Sequence, residues 1–295
     1  MIVRTRPSAW KLFFLLRGSI IQRVWRQILF TGCLSLLVVV AHRYAPHYFP
    51  GVDPAPFTLI GISLSIFLSF RNSACYDRWW EGRKLWGQMI QTARDIARQS
   101  LTLDHAGPSA ERRVLLGVII DFAHTAATQL GGTRRGPYLA PAESVRDADS
   151  ALSRAAAQIA ADLRAGRLAG IEAHGLNESL LRLSQALVGC ERLANTPLPF
   201  AYTLLLHRTA YLFCFLLPFG FADSLGWATP IAVMLIAYSF FGLDALGEEL
   251  EDPFGDWPNA LPTHTYATGI ERHLRRAMGE DDLPDWPEEK DFILR

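Results

Sequence analysis

Charge is almost absent from four stretches of this chain and crowded between them. Residues 28–41 (ILFTGCLSLLVVVA) and 57–70 (FTLIGISLSIFLSF) carry none, residues 199–222 carry only His207 and Arg208, and residues 224–243 again carry none. A helix needs about 20 apolar residues to cross a hydrocarbon core about 30 Å thick, so the first two runs of 14 are short by themselves. Val24, Trp25, His42 and Tyr44 extend the first, because aromatic rings favour the interface. The second extends from Pro54 to Tyr76 if Arg71 meets protein or water, since lipid would not tolerate its charge. The pattern predicts membrane segments at about 24–45, 54–78, 199–221 and 224–245, the last two joined by a turn in ADSLGWATP. Four buried core helices of a large soluble protein are the competing reading.

The polar stretches are periodic too. In RKLWGQMIQTARDIARQSL (83–101), Leu85, Met89, Ala93, Ile96 and Leu101 fall near one helical face while Arg94, Arg98 and Gln99 fall largely off it. Residues 111–130 and 179–194 repeat the pattern, and Gly and Pro cluster at 104–110 and 131–143, where helices should break. No run alternates as a strand would, so the expected fold class is an all-α membrane protein. Between Phe70 and Gly82 there is no proline or glycine to stop a helix, although Arg71, Asp77, Arg78 and Glu81 fall there. This predicts one helix running out of the membrane into a cytosolic helical body formed by about 79–198 and 246–295, the whole chain making one domain. The acidic, proline-punctuated tail from Gly279 to Arg295 should wrap or dangle.

Composition narrows the function. Lys plus Arg and Asp plus Glu both number 29, so there is no global basic signal for nucleic acid. Cys33, Cys75, Cys190 and Cys214 lack C-x-x-C spacing and read as reduced, packed thiols; no metal and no cofactor is expected. The arginine-rich N-terminal stretch is too long for a signal peptide, and no small-residue cleavage site follows it. Residues 1–27 carry six Lys or Arg and residues 71–192 carry sixteen, against Arg43 alone in the first short loop and none in the turn between the last two spans. By the positive-inside rule both termini and the long middle segment are cytoplasmic.

Ile62, Ile66 and Phe70 lie at i, i+4 and i+8 on the second segment, one stripe down a helix. Copies of such a stripe around an axis would form stacked apolar collars that gate by dewetting, although lipid contact or helix packing explains a stripe equally well. The chain also resembles bestrophins of the bacterial branch. The resemblance rests on Phe70 followed at Arg78, Trp79 and Trp80 by RWW, on CERLANTPLPFAYTLLLHR (190–208), and on EDPFGDW (251–257) with Pro253, Phe254 and Gly255, and it covers nearly the whole chain in order. It implies a homopentameric channel for monovalent ions in the bacterial inner membrane, with itself and membrane lipid as partners. It further implies a neck at Ile62, Ile66 and Phe70 and a cytosolic aperture at Leu180. Calcium-gated members carry a run of acidic residues after this motif; here Asp256 is followed by Trp257, Pro258 and Asn259, so calcium gating of that type is not expected.

Chloride is the permeant ion the resemblance favours, but apolar collars do not select a sign of charge, and sodium or potassium selectivity stays open. An intramembrane enzyme would use His207, Arg208, Asp244 and Glu248 as acid, base or metal ligands; an intersubunit salt bridge from His207 and Arg208 fits them better. Asp244, Glu248, Glu249, Glu251 and Asp252 lack EF-hand spacing and should pair with arginines of a neighbouring helix or subunit. H-E-x-x-H, G-x-S-x-G and phosphate-loop patterns are absent from the sequence, as are the repeats typical of transporters.

Overall fold

A 45-residue helix, Ala55–Gln99, carries the chain from its apolar second segment into its charged middle without a break. At about 1.5 Å per residue it is nearly 70 Å long, more than twice what a bilayer core demands. In this computed structural model, which describes residues 1–2, 10, 18–45, 47, 52–104, 109–131, 147–289 and 292–294, the helices in chain order are these. They are α1 (Ile21–Tyr44), α2 (Ala55–Gln99), α3 (Ala110–Gly131), α4 (Ala148–Arg164), α5 (Gly170–Asn195), α6 (Phe200–Leu225), α7 (Thr229–Glu251) and α8 (Thr263–Ala277). An isolated antiparallel bridge, Ile2 to Ile293, is the sole β-pairing among the described residues.

The chain divides into two compact units, cut between Asp77 and Arg78, Thr196 and Pro197, and Glu251 and Asp252. The unit holding residues 5–77 and 197–251 contains α1, the first half of α2, α6 and α7. All four expected spans are helical; α1, α2 and the stretch Phe200–Glu251 that holds α6 and α7 are long and apolar enough to cross a membrane. Helix α3 is also long and apolar enough. Its apolar face, with Leu115, Leu116, Ile119 and Phe122, is instead spent on the core of the other unit. Close helix approach in the apolar unit rests on small residues, as membrane bundles require. A Cβ at Gly220 would come within 2.5 Å of the Phe57 ring, and one at Gly32 within 2.5 Å of the Met234 sulfur. Between α6 and α7 the chain turns at Gly226, whose φ of 53° is easy only for glycine, and Thr229 Oγ1 donates to Phe221 O at 3.0 Å.

The unit holding residues 78–196 and 252–295 is a helical bundle around Trp86, Met89, Ile96, Leu176, Leu183, Leu187, Ile270 and Leu274. The expected breaks fall where α3 starts and stops, although residues 105–108 and 132–146 lie outside the described residues. Helix α4, whose alanine-rich sequence gave no separate expectation, opens on Asp147, which accepts from Ser150 N at 2.7 Å as an N-cap. Arg112 is buried yet well satisfied: it donates to Ser100 Oγ (3.1 Å), Asp104 Oδ2 (2.8 Å), Ala97 O (3.1 Å) and Ala277 O (2.9 Å). Part of the tail wraps: Trp286 lies against Gly269, and Leu294 exchanges backbone hydrogen bonds with Met1.

Candidate functional site

In the apolar unit, one face of α2 is left open. Ile62, Ile66 and Phe70 are 56%, 50% and 63% exposed, whereas Leu64 and Leu68, which alternate with them, are 3% and 0% exposed and packed against α6 and α7. A period of about 3.6 makes this a division between two helix faces: one holds the subunit together and the other is left open among the described residues. Leu59, Ile60 and Phe67 are exposed as well and widen the open face.

Behind that face sits a buried charge cluster. Arg71 is fully buried, and its Nη1 donates to Asp244 Oδ1 at 2.7 Å and to Asp244 O at 3.3 Å. Glu251 stands 3.8 Å from its other Nη. The second Asp244 oxygen meets His207 Nδ1 at 2.7 Å. Nearby, Arg23 bonds Glu248, lies 3.6 Å from Glu249, and donates to Ala245 O at 3.4 Å. The protein environment that Arg71 required is therefore supplied by α7, and the carboxylates of α7 find their arginines on α1 and α2. His207 corrects the intersubunit expectation: its acidic partner is in the same chain, on the neighbouring helix. Arg208, on the other side of α6, is exposed and has no ion pair among the described residues.

His207, Asp244 and Glu248 place one ligand atom each within 4.8 Å of one another, close enough in principle for a metal ion. Asp244 and Glu248 already hold Arg71 and Arg23, so the carboxylate charge a cation would need is answered by guanidinium.

The other motif residues hold the helical bundle. Arg78 donates to the carbonyls of Leu193 and Thr196, both at 2.6 Å, which ties down the C-terminus of α5. Trp79 Nε1 donates to Asn259 O at 2.9 Å and its ring stacks on Trp80, which is itself exposed. Phe254 is buried in the bundle core, where a Cβ on Gly82 would come within 3.1 Å of its ring, and Leu261 N donates back to Pro253 O at 2.7 Å. Asp252 is folded against Gly255, leaving no room for a side chain there.

Leu180 is packed within the subunit. It is 7% exposed and belongs to the bundle core, because its position on α5 falls in the apolar stripe with Leu176, Leu183 and Leu187. The exposed apolar positions of α5 are Ile171, Leu181 and Val188, which spacing had not singled out. The signal that could have found them was departure from the core stripe. The Arg71–Asp244 pair was likewise missed as a pair, although an arginine in an apolar segment and an aspartate in another are each a demand for a partner.

Comparison with known proteins agrees with these motifs. The family described as bacterial/fungal bestrophin protein matches residues 1–276. A voltage-dependent anion channel-forming protein of Mesorhizobium japonicum is 43% identical, over 99% of this chain and 97% of its own length. A protein of the same description from Escherichia coli K12 is 37% identical over 96% of each. Among solved structures, a bacterial bestrophin homologue from Klebsiella pneumoniae superposes with a TM-score of 0.80 at 36% identity, over 88% of this chain and all of that one.

Proposed function

Since the chain belongs to the bacterial/fungal bestrophin family, we propose that it assembles as a homopentamer in the bacterial inner membrane and conducts monovalent anions, chloride among them, through a path lined by α2. Ile62, Ile66 and Phe70 form the narrowest collars of that path, and both termini lie in the cytoplasm. The observation that carries this reading is the open face of α2: three apolar side chains on one stripe, each at least half exposed, backed by two leucines that are buried. A single subunit gains nothing from such a face in water, but several copies around an axis can use it as a constriction that passes ions only when wetted. Leu59, Ile60 and Phe67 flank the stripe and are placed to meet the next copy or lipid.

The relatives from Mesorhizobium japonicum and Escherichia coli are named as anion channel-forming proteins, which favours anions here and leaves the enzyme reading without support. Cation conduction is the second reading: exposed Asp53, next to the start of α2, would attract cations if a ring of its copies stood at the mouth. Purified protein in a planar bilayer under a tenfold potassium chloride gradient decides between them. Anion conduction sets the reversal potential near the chloride equilibrium value and cation conduction near that of potassium; absence of any unitary current from assembled protein would overturn both.

A further inference from the structure

A cavity of about 510 Å³ opens in the helical bundle between α2 and α8, with the tail at its edge. Its polar lining is almost wholly basic: Arg94 from α2, and Arg272, His273 and Arg276 from α8, with Tyr266 and Trp286 supplying aromatic walls. Among the described residues that line it there is no carboxylate.

How each arginine spends its charge distinguishes this group from an ordinary solvated face. On the same helix Arg275 is neutralised by Glu271 at 2.8 Å and Glu280 at 3.1 Å, and on α2 Arg98 is paired with Asp95. Arg94 and Arg276, which point at the cavity, make no ion pair among the described residues. Arg272 stacks on the Trp286 ring at 5.1 Å and donates to Pro284 O, an arrangement that holds the indole at the rim. The local field is registered by His273, whose imidazole is held below its ordinary value by burial and by the charges of Arg94, Arg98 and Arg276. Like charges are gathered here at a cost that an anion would relieve.

We propose that this cavity binds a cytosolic phosphate ester bearing a flat ring, its dianionic phosphate held by Arg94 and Arg276 and its ring lying against Trp286. Guanidinium forks match phosphate oxygens two at a time, which a chloride ion cannot exploit. Aromatic walls add selectivity for a ring over bare phosphate.

The test uses the full-length assembled protein in detergent at low salt, titrated calorimetrically with phenyl phosphate, inorganic phosphate and short-chain phosphatidic acid. Phenyl phosphate should bind saturably and roughly fivefold or more tighter than inorganic phosphate, the margin that ring stacking gives. The double variant Arg94→Ala, Arg276→Ala should lose about tenfold or more for both, as removal of charge-assisted contacts demands. Trp286→Ala should bring phenyl phosphate down to inorganic phosphate while leaving the latter unchanged. The altered side chains are exposed, and size exclusion checks that each variant assembles as the parent does. No saturable binding, equal binding by the double variant, or a preference for phosphatidic acid indifferent to Trp286 would each overturn the proposal. None of these results bears on ion conduction, so the channel reading stands or falls separately.

Discussion

Arg71 and Asp244, from two different apolar segments, meet at 2.7 Å with the arginine out of contact with solvent. A charge inside a span persists only if it is paired, and removing one partner of a buried pair costs about 3–5 kcal/mol because the other is left uncompensated. Arg71→Ala should therefore lower the melting temperature of the purified protein sharply and reduce the yield of assembled oligomer. Asp244→Asn should also lower the melting temperature, because its amide oxygen can accept from Arg71 but no longer answers the buried guanidinium charge. Equal melting temperatures for Arg71→Ala and the parent would mean that the pair does not hold α2 to α7.

Ile66 is the middle residue of the exposed stripe on α2. Ile66→Ala should widen the central collar and raise single-channel conductance severalfold, because a wider apolar constriction is more readily wetted. Phe67→Ala is the control, since the next residue on a helix points about 100° away. Equal rises in both variants, or none in Ile66→Ala, would remove the neck from this face.

The sequence made the helices and their apolar faces legible because both follow from periodicity, which is local. Helix α2 could be read as continuous because nothing in residues 67–87 stops it before Gly82, and a single helix Ala55–Gln99 is what forms. What periodicity could not supply was the partner across space. Arg71 announced its need without naming Asp244, and His207 was assigned to another subunit because a residue on one helix has no sequence mark of its neighbour. Leu180 shows the same gap: an apolar residue on a helix is equally eligible for core or passage until the packing side of that helix is known, and here it packs in the bundle core.

Arg78 secures the end of α5 through the carbonyls of Leu193 and Thr196. Those carbonyls carry the negative end of the helix dipole and lack helical partners. Hydrogen bonds to a charged group contribute about 1.5–3 kcal/mol, less where solvent reaches them, as it does here. Arg78→Ala should fray the last turn of α5, seen as faster amide exchange at residues 192–196, with Arg78→Lys intermediate. Unchanged exchange in Arg78→Ala would assign the capping elsewhere.

The segment after Glu251 is organised by packing. Phe254 is core, Gly255 N donates to Asp252 O at 3.3 Å, and Asn259 O takes the Trp79 indole. A calcium ion wants six to eight oxygens, and the acidic residues here are only Asp252 and Asp256 before Trp257 and Pro258. Micromolar calcium added to the cytoplasmic side should leave the current unchanged. Strong reversible activation abolished by Asp256→Asn would contradict that.

Two carboxyl groups in the helical bundle set opposite pH dependences. For Asp104, burial alone would raise its carboxyl, but the backbone N–H of Ser109 and the Arg112 guanidinium outweigh it and hold it below 3.8. Its contribution is present above 3.8 and is lost as pH falls through its lower folded value. Glu191 behaves in the opposite sense: burial pushes it above 4.5, the Gln129 amide opposes, and Asp149 and Asp147 push it further. That contribution is full below 4.5 and is lost as pH rises through the folded value, so at neutral pH the folded protein holds an ionised group it would rather protonate. Glu191→Gln keeps an acceptor for Gln129 Nε2, now 2.9 Å from the carboxylate, and removes the charge. It should raise the melting temperature at pH 7 and leave it little changed at pH 4. Asp104→Asn should lower stability at pH 7 and flatten the loss on acidification. Melting curves of the assembled protein from pH 3.5 to 8 read both signs, and a Glu191→Gln variant less stable than the parent at pH 7 would show that the carboxylate is better compensated than its neighbours indicate.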